Sequence, residues 1–430
     1  LRALDTLKLL HAGNFDFAHE KVTLSKEDFL PLTPHSPKAM IKTISTEKKP
    51  IKLWLSDIDI DTLQQAKNLA NLPFLFRHVA IMPDAHIGYG MPIGGVAATE
   101  DVIIPNAVGV DIGCGIATVR TSLSATLTPQ LKSILRAIRQ SVPLGFAHHK
   151  KPHPGGRMPE FGRGRTEKDL PIVAREYESG LLQLGTLGGG NHFIEIQLGD
   201  DGHVWIMIHS GSRNIGYRVA HHYNQLAANY NRTHGALVPE KWQLDYLRLD
   251  SETGLRYLQE MTYCVEFAAA NRQAMMQQVT EIVGEIEPSA TFAPILDVAH
   301  NYAARENHFG REVIVHRKGA TRALAGGMGI IPGSQGSASY IVRGKGNPES
   351  FSSCSHGAGR RLGRKQAQRE LDLKTEVARL EQQGILHAIR GRRDLEEAAG
   401  AYKDIAMVMG NQSDLIEIVT TLKPLAVVKG

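Results

Sequence analysis

Residues 353 to 360 read Ser-Cys-Ser-His-Gly-Ala-Gly-Arg, which sets His356 against a short run of small residues. An imidazole there can be a metal ligand, a general base, a nucleophile or a turn residue. The local sequence does not choose among these; the answer depends on what other polar residues the chain supplies. Four further segments supply them. Gly109 to Gly115 carries Asp111 and Cys114 around Gly113, so a carboxylate and a thiol can turn toward one point. Gly185 to Ile196 carries Asn191, His192 and Glu195 behind a glycine run. His209 ends the apolar run Trp-Ile-Met-Ile, and Ser210 to Arg213 follow as a polar loop. His300 and Asn301 sit together in Asp-Val-Ala-His-Asn-Tyr.

Each segment alone has an ordinary reading: a small buried thiol, a glycine turn with a surface histidine, a harmless histidine at a strand end. Together they offer Asp, Cys and three His, a donor set suited to Mn, Fe, Zn or Co. Five protein ligands exceed what one catalytic zinc needs, because an open position must remain. One thiolate shared by two ions resolves the count, and two ions a few ångströms apart suit phosphoryl chemistry. His356 is then left to react, and an imidazole can take up an activated phosphate as a phosphoramidate. The N–H groups of Gly357, Ala358 and Gly359 can cradle that phosphate, with Arg360 and Arg361 adding charge. Tyr402 can stack on a base and Lys429 can reach a purine edge.

These loops need elements to hold them. Apolar periodicity and breakers place helices over residues 61–70, 129–142, 169–184, 214–231 and 254–283. Strands are expected at His-Val-Ala-Ile-Met, stopping at Pro83, and at 95–100, 116–123, 192–198, 203–210, 313–320, 328–334 and 339–346. In the strand after Asn191, an immediate extended period puts His192, Ile194 and Ile196 on one face and Glu195 with Phe193 on the other. The region from Arg364 onward reads as mainly helical before the closing Leu-Ala-Val-Val-Lys. No βα period persists, so the expected fold class is α+β with a mixed core rather than a doubly wound sheet. Residues 1–50 read as an N-terminal extension and 51–430 as one large catalytic domain. Residues 148–168, with six Lys or Arg and four Gly, read as a mobile basic loop, either a solvated insertion or an arm for a phosphate backbone.

Composition narrows the classes. At 430 residues, 42% apolar and 22% charged, the chain is an ordinary globular one. No run reaches the roughly 18–20 apolar residues of a bilayer span, so no membrane partner is expected. The start lacks the order of a secretory signal. Three cysteines make a poor disulfide framework and fit a reducing, cytoplasmic setting. There is no G-x-x-x-x-G-K-[ST] and no H-E-x-x-H, which argues against a P-loop NTPase and a simple zinc peptidase.

The ordered set Met-Pro-Asp-Ala-His-Ile-Gly-Tyr-Gly, Val-Gly-Val-Asp-Ile-Gly-Cys-Gly, Gly-Thr-Leu-Gly-Gly-Gly-Asn-His-Phe-Ile-Glu, Ile-His-Ser-Gly-Ser-Arg, Ile-Ile-Pro-Gly-Ser-Gln-Gly, Cys-Ser-His-Gly-Ala-Gly-Arg, Ala-Tyr-Lys-Asp-Ile and the final Val-Val-Lys-Gly resembles the RtcB family of RNA ligases. The likeness runs from about residue 51 to the end. It implies an enzyme that joins RNA 2′,3′-cyclic-phosphate or 3′-phosphate ends to 5′-hydroxyl ends with GTP and two Mn²⁺ ions, through guanylate carried by His356. It implies Cys114 bridging the ions, one also taking His192 and His209, the other Asp111 and His300. Guanylate contacts carry over to Asn191, His192, Phe193, Ile194 and Glu195, to His300 and Asn301, to Pro332, Gly333, Ser334, Gln335 and Ser339, to His356 through Gly359, and to Tyr402 and Lys429. Asp84 resembles an acidic residue near such a site, and Arg213 a substrate-phosphate contact. Gln335 stands where some members carry Met. The implied partners are RNA ends, tRNA halves among them, with an archease-type activator as a further one; tRNA splicing and RNA repair both fit. Two competing readings use the same residues. A two-metal RNA phosphoesterase leaves His356 and Lys429 idle. A noncatalytic RNA-binding subunit leaves the ligand set unexplained.

Overall fold

The computed structural model describes residues 42–153, 156–161, 166, 168–235 and 237–430. Two sheets dominate. The first has the strand order Lys42–Ile44, Ile51–Leu53, Leu75–His86, Ile93–Thr99, Arg311–Lys318, Asn301–His308. Its one parallel pairing joins Ile51–Leu53 to Leu75–His86. The second has the order Leu296–Ala299, Gly115–Arg120, Val204–Ser210, Phe193–Gly199, Ile416–Lys429, Ser339–Gly344, Met328–Ile331 and is antiparallel throughout. The class is the expected mixed α+β.

The second sheet is covered on one face by the helices Leu131–Ser141 and Glu252–Ile286. Ile194, Ile196, Ile206 and Ile208 meet Ile134, Ile138, Met275, Val279 and Ile282 there. Each such side chain, fully buried, stabilises the fold by roughly 1.5–3 kcal/mol. Glu252–Ile286 starts where Ser251 accepts the Gly254 N–H, an N-cap interaction. Its apolar positions Tyr257, Met261, Val265, Ala268, Met275 and Val279 recur every three or four residues except where buried Asn271 and Arg272 interrupt them, so one stripe faces the core. The first half packs against Ile215, Val219 and Tyr223 of the helix Arg213–Thr233.

The chain crosses between the sheets at two places that matter for function. The segment after Ile93–Thr99 leads through Asp111 and Cys114 into Gly115–Arg120. Leu296–Ala299 belongs to one sheet, Asn301–His308 to the other, and His300 is the single residue between them.

One expectation is corrected. The strand beginning at Leu75 does not stop at Pro83 but continues to His86. Its pairing is irregular between Ile81 and His86, so the missing proline N–H interrupts no regular ladder. The chain after Arg364 is mainly helical before its close, as expected: three short helices and two 3₁₀ turns precede the strand Ile416–Lys429, which is an inner strand of its sheet. Pro424 is accommodated by a bulge. The described part of the basic stretch has no helix or strand up to residue 168, and Phe161 within it stacks on Tyr177 and Tyr263 at 5.5 and 5.7 Å. Residues 1–41 of the expected extension, and 154–155, 162–165 and 167 of the basic stretch, lie outside the described residues. Lys42–Ile44 adds an edge strand to Ile51–Leu53. Among the described residues no helix is long and apolar enough to cross a membrane.

Candidate active site

Asp111, Cys114, His192, His209 and His300 converge at the ends of the second sheet's strands, at the two crossings. Cys114 Sγ lies 3.1 Å from His209 Nε2 and 3.6 Å from His192 Nε2, and His192 Nε2 lies 3.1 Å from Asp111 Oδ2. The donor atoms form two sets that share the thiol: Cys114 with His209 and His300, and Asp111 with Cys114 and His192, each set within 4.8 Å. All five expected residues are brought together; by donor distance His209 groups with His300 and His192 with Asp111, while the His192 and His209 rings lie 5.2 Å apart and both face Cys114. The approach of His209 to His300 follows from the strand geometry. His209 is opposite Ile116 and one step from the Gly115–Ser210 pair, which brings it toward the His300 crossing, where the rings lie 5.3 Å apart.

The site fits a divalent cation. The Nδ1–H of His192 donates to the Leu187 carbonyl at 2.9 Å and that of His209 to the Asn191 carbonyl at 3.2 Å. Both rings thereby present Nε2 lone pairs inward, the usual arrangement behind metal-bound histidine. His300 is buried with an unpartnered Nδ1. Burial and the neighbouring histidines push His209 and His300 well below the ordinary imidazole range. Burial and the Asp111 charge push the Cys114 thiol up. For Asp111, burial works against ionisation, but His192 and Arg213 more than offset it and hold the carboxyl below its usual range. A cation supplies what these groups lack and favours the thiolate.

The ligand loops are held from behind by two buried residues of the helix Glu252–Ile286. Asn271 Oδ1 accepts the N–H groups of Gly185 and Thr186, and its Nδ2 donates to the Thr186 and Gly211 carbonyls. Arg272 Nη1 donates to the carbonyls of Gly113 and Ser210 at 2.9 and 3.0 Å, and its other nitrogens pair with Asp297. Arg213 opens its helix with φ of 55°, a conformation that costs a non-glycine residue about 1 kcal/mol or more. Its guanidinium donates to Thr186 Oγ1 and to the Gly145 carbonyl. A Cβ on Gly188, whose φ is +87°, would lie 2.1 Å from that guanidinium and 2.8 Å from His192 Nδ1, so only glycine fits.

His356 lies beside this cluster, its ring 4.8 Å from that of His300. Its Nδ1 is 2.6 Å from Asp84 Oδ2, which also accepts the His356 and Gly357 N–H groups at 3.1 and 3.3 Å. Burial alone would raise the Asp84 pKa, but the His356 contact, with His86 and Lys403 nearby, holds it below the usual value. With Nδ1–H donated to the carboxylate, Nε2 keeps its lone pair. Gly359, at φ +73°, lets the backbone pass so close that a Cβ would sit 2.0 Å from the Asp84 carbonyl oxygen. The buried Arg317 pins the chain just before, donating to Ser353 Oγ and the Phe351 carbonyl while paired with Glu306.

A cleft of about 570 Å³ opens from His356. Asn191, Phe193, Glu195, Pro332 to Gln335, Gly357 to Gly359, Tyr402 and Lys429 line it. The remaining candidates do not. Ile194 is buried on the opposite face among the helices; the strand begins at Phe193, so His192 lies ahead of it rather than sharing a face with Ile194 and Ile196, as the alternation had implied. Ser339 is buried behind the wall, where its Oγ accepts from Gln197 Nε2 and the Gly333 N–H. Asn301 braces the metal loop, its Nδ2 donating to the Asp111 carbonyl and its Oδ1 accepting from the Gly319 N–H.

At the far end Glu397, which sequence reasoning did not single out, accepts from Lys429 Nζ at 3.2 Å, from Arg360 Nη1 at 3.1 Å and from the Tyr402 hydroxyl. Burial opposes its charge, yet Lys429, Tyr402 and Arg360 hold its pKa below the ordinary glutamate value. Glu195 differs: burial raises its pKa to about 7 despite Lys429. His86, Asn271 and Arg272 were missed as well. The only available signal was the position of His86 two residues after Asp84.

Comparison with known proteins agrees with this geometry. The family model described as tRNA-splicing ligase RtcB matches residues 65–157 and 155–430. The RNA-splicing ligase RtcB of Escherichia coli K12 is 39% identical over 410 residues, covering 90% of this chain and 99% of its own. The tRNA-splicing ligase RtcB of Thermococcus kodakarensis is 34% identical, over 86% of this chain and 91% of its own. The Mycobacterium bovis RNA-splicing ligase RtcB is 35% identical, over 85% and 100%. With a family match across most of its length and a cation-ready Cys–His cluster at its centre, the chain belongs to the RtcB family of tRNA-splicing ligases.

Proposed function

We propose that this protein is a GTP-dependent RNA ligase that joins a 3′-phosphate or 2′,3′-cyclic-phosphate end to a 5′-hydroxyl end, in tRNA splicing or RNA repair. The observation that carries the reading is His356 with Nδ1 tied to buried Asp84, which leaves Nε2 as a nucleophile at the mouth of the cleft. His356 Nε2 attacks the α-phosphorus of GTP and the bond to pyrophosphate breaks. The N–H groups of Gly357 to Gly359 receive phosphate oxygens, and the bound guanylate lies toward Tyr402, Glu195 and Lys429. After water opens a cyclic end, an oxygen of the RNA 3′-phosphate takes the guanylyl group from His356. The 5′-hydroxyl oxygen then attacks that phosphate and GMP leaves. Two Mn²⁺ ions, held by Cys114–His209–His300 and Asp111–Cys114–His192, would neutralise charge on the phosphate oxygens.

The test is covalent labelling. The protein is incubated with Mn²⁺ and α-labelled GTP, denatured, and examined for label on the chain. Label stable to alkali and released by acid is expected, as for a phosphoramidate. It should be absent from His356→Ala, which should still bind Mn²⁺. Label persisting on that variant would sink the assignment.

A further inference from the structure

Phe146 is 101% exposed, more than any other large apolar side chain among the described residues. Scattered exposed apolar residues are ordinary, but this one sits on a fixed turn. The Gly145 N–H donates to the Gly188 carbonyl at 3.1 Å, the Leu187 N–H to the Pro143 carbonyl at 3.0 Å, and the Ala147 N–H to the Leu144 carbonyl at 3.1 Å. Leu144 and Gly188 pair as a parallel bridge. Arg213 Nη2 donates to the Gly145 carbonyl, and Leu187 is the residue whose carbonyl orients His192. One small frame thus holds a bare phenyl ring, a guanidinium and a metal ligand together. His148, Lys150 and Lys151 follow the ring and are exposed.

An aromatic ring held out to solvent beside a row of cations is what single-stranded nucleic acid binds: bases stack on the ring while cations track the backbone. We propose that Phe146 is the platform on which the terminal base of the phosphate-bearing RNA strand stacks, with its phosphate toward Arg213. The commitment to that strand rests on the shared hydrogen bond through Gly145, which ties the ring to the Arg213 guanidinium, whose charge acts on Asp111 of the candidate metal cluster. The inference rests on the ligase reading above, but uses residues outside the nucleotide cleft.

The experiment uses the full chain with GTP and Mn²⁺, and a 3′-phosphate RNA strand whose last nucleotide is either normal or abasic. Phe146→Ala should raise the ligation KM for the normal strand about tenfold, and Phe146→Trp should restore it. The abasic strand should cost the parent protein a similar factor and Phe146→Ala nothing further, because the two changes remove one contact. A 5-iodouridine at the terminal position should photocrosslink to the segment containing residue 146. Phe146→Ala with the parent's KM, or an abasic penalty equal in both proteins, would overturn the platform. In those cases the parent protein still joins ends, so the ligase reading stands; a parent that neither takes up guanylate nor joins ends removes both.

Discussion

Asp84 accepts three hydrogen bonds from the His356–Gly357 segment through one oxygen, so its charge sets both the tautomer and the pose of His356, the proposed nucleophile. Asp84→Asn keeps the shape but can offer Nδ1 a donor, turning the lone pair away from the cleft. The rate of guanylate loading should fall on the order of 10²–10⁴-fold, by analogy with loss of an orienting carboxylate in catalytic triads, while GTP affinity changes little. A loading rate near the parent's would reduce Asp84 to a structural brace. Glu195 makes a different prediction, because it titrates near neutrality. A guanine edge presents two donors, N1–H and the 2-amino group, and a carboxylate accepts both. Below about 7, its folded pKa, the carboxyl is protonated, so GMP affinity measured by calorimetry should rise from pH 6 to pH 8 and should flatten in Glu195→Gln. Stability should run the other way. The folded pKa lies above the ordinary 4.5, so the unfolded chain releases its proton first, and this group's contribution falls as pH rises through that window. Both residues were reached from the sequence, Glu195 from its place beside Asn191 and His192 at the mouth of an apolar strand and Asp84 through the family resemblance alone. Glu397 was not. It lies in Asp-Leu-Glu-Glu, which reads as a solvated surface, and only folding brings it to Lys429 and Tyr402.

The helix Glu252–Ile286 is the element that organises the ligand loops, and its role was the least legible part of the site. Its length and apolar stripe follow from periodicity. Asn271 and Arg272 break that stripe and look like its solvent edge, yet both are fully buried. Their partners, Gly113, Thr186, Ser210 and Asp297, are scattered over most of the chain, so no local pattern announces them. Arg272→Met fills the volume but strands Asp297 and frees two carbonyls. Breaking a buried pair from one side costs about 3–5 kcal/mol; with Asp297 partly exposed, a loss near the lower end is expected in denaturant melts. The distinguishing readout is metal affinity, which should weaken about 10–100-fold, as for loss of an outer-shell support. A variant that is less stable but binds Mn²⁺ as tightly as the parent would show that Arg272 serves the fold alone.

At the scale of the molecule, the two sheets meet where the chain crosses between them, and both crossings carry ligands: Asp111 and Cys114 on one, His300 on the other. A metal bound by these residues would tie the sheets together, and its removal by chelation should destabilise the whole fold. Ligand present at a hundred times its Kd adds about 2.7 kcal/mol, so the melting temperature should drop by several degrees and recover on adding Mn²⁺. The α+β class was legible from the absence of a βα period, but the crossings were not, since strand order depends on pairings across hundreds of residues. The five candidate ligands could still be collected from sequence, because they stand in four short polar segments. The partition has a sharp consequence. If His209 and His300 hold the same ion, the double variant His209→Ala/His300→Ala should lose one ion and keep the one held by Asp111, Cys114 and His192. If they hold different ions, the same variant should damage both sites. Cys114→Ala should damage both sites in either case, since its thiol belongs to both sets. Elemental analysis of manganese per chain separates the outcomes: half occupancy in the double variant supports the grouping by donor distance, and near-zero occupancy in both variants supports the pairing of His192 with His209.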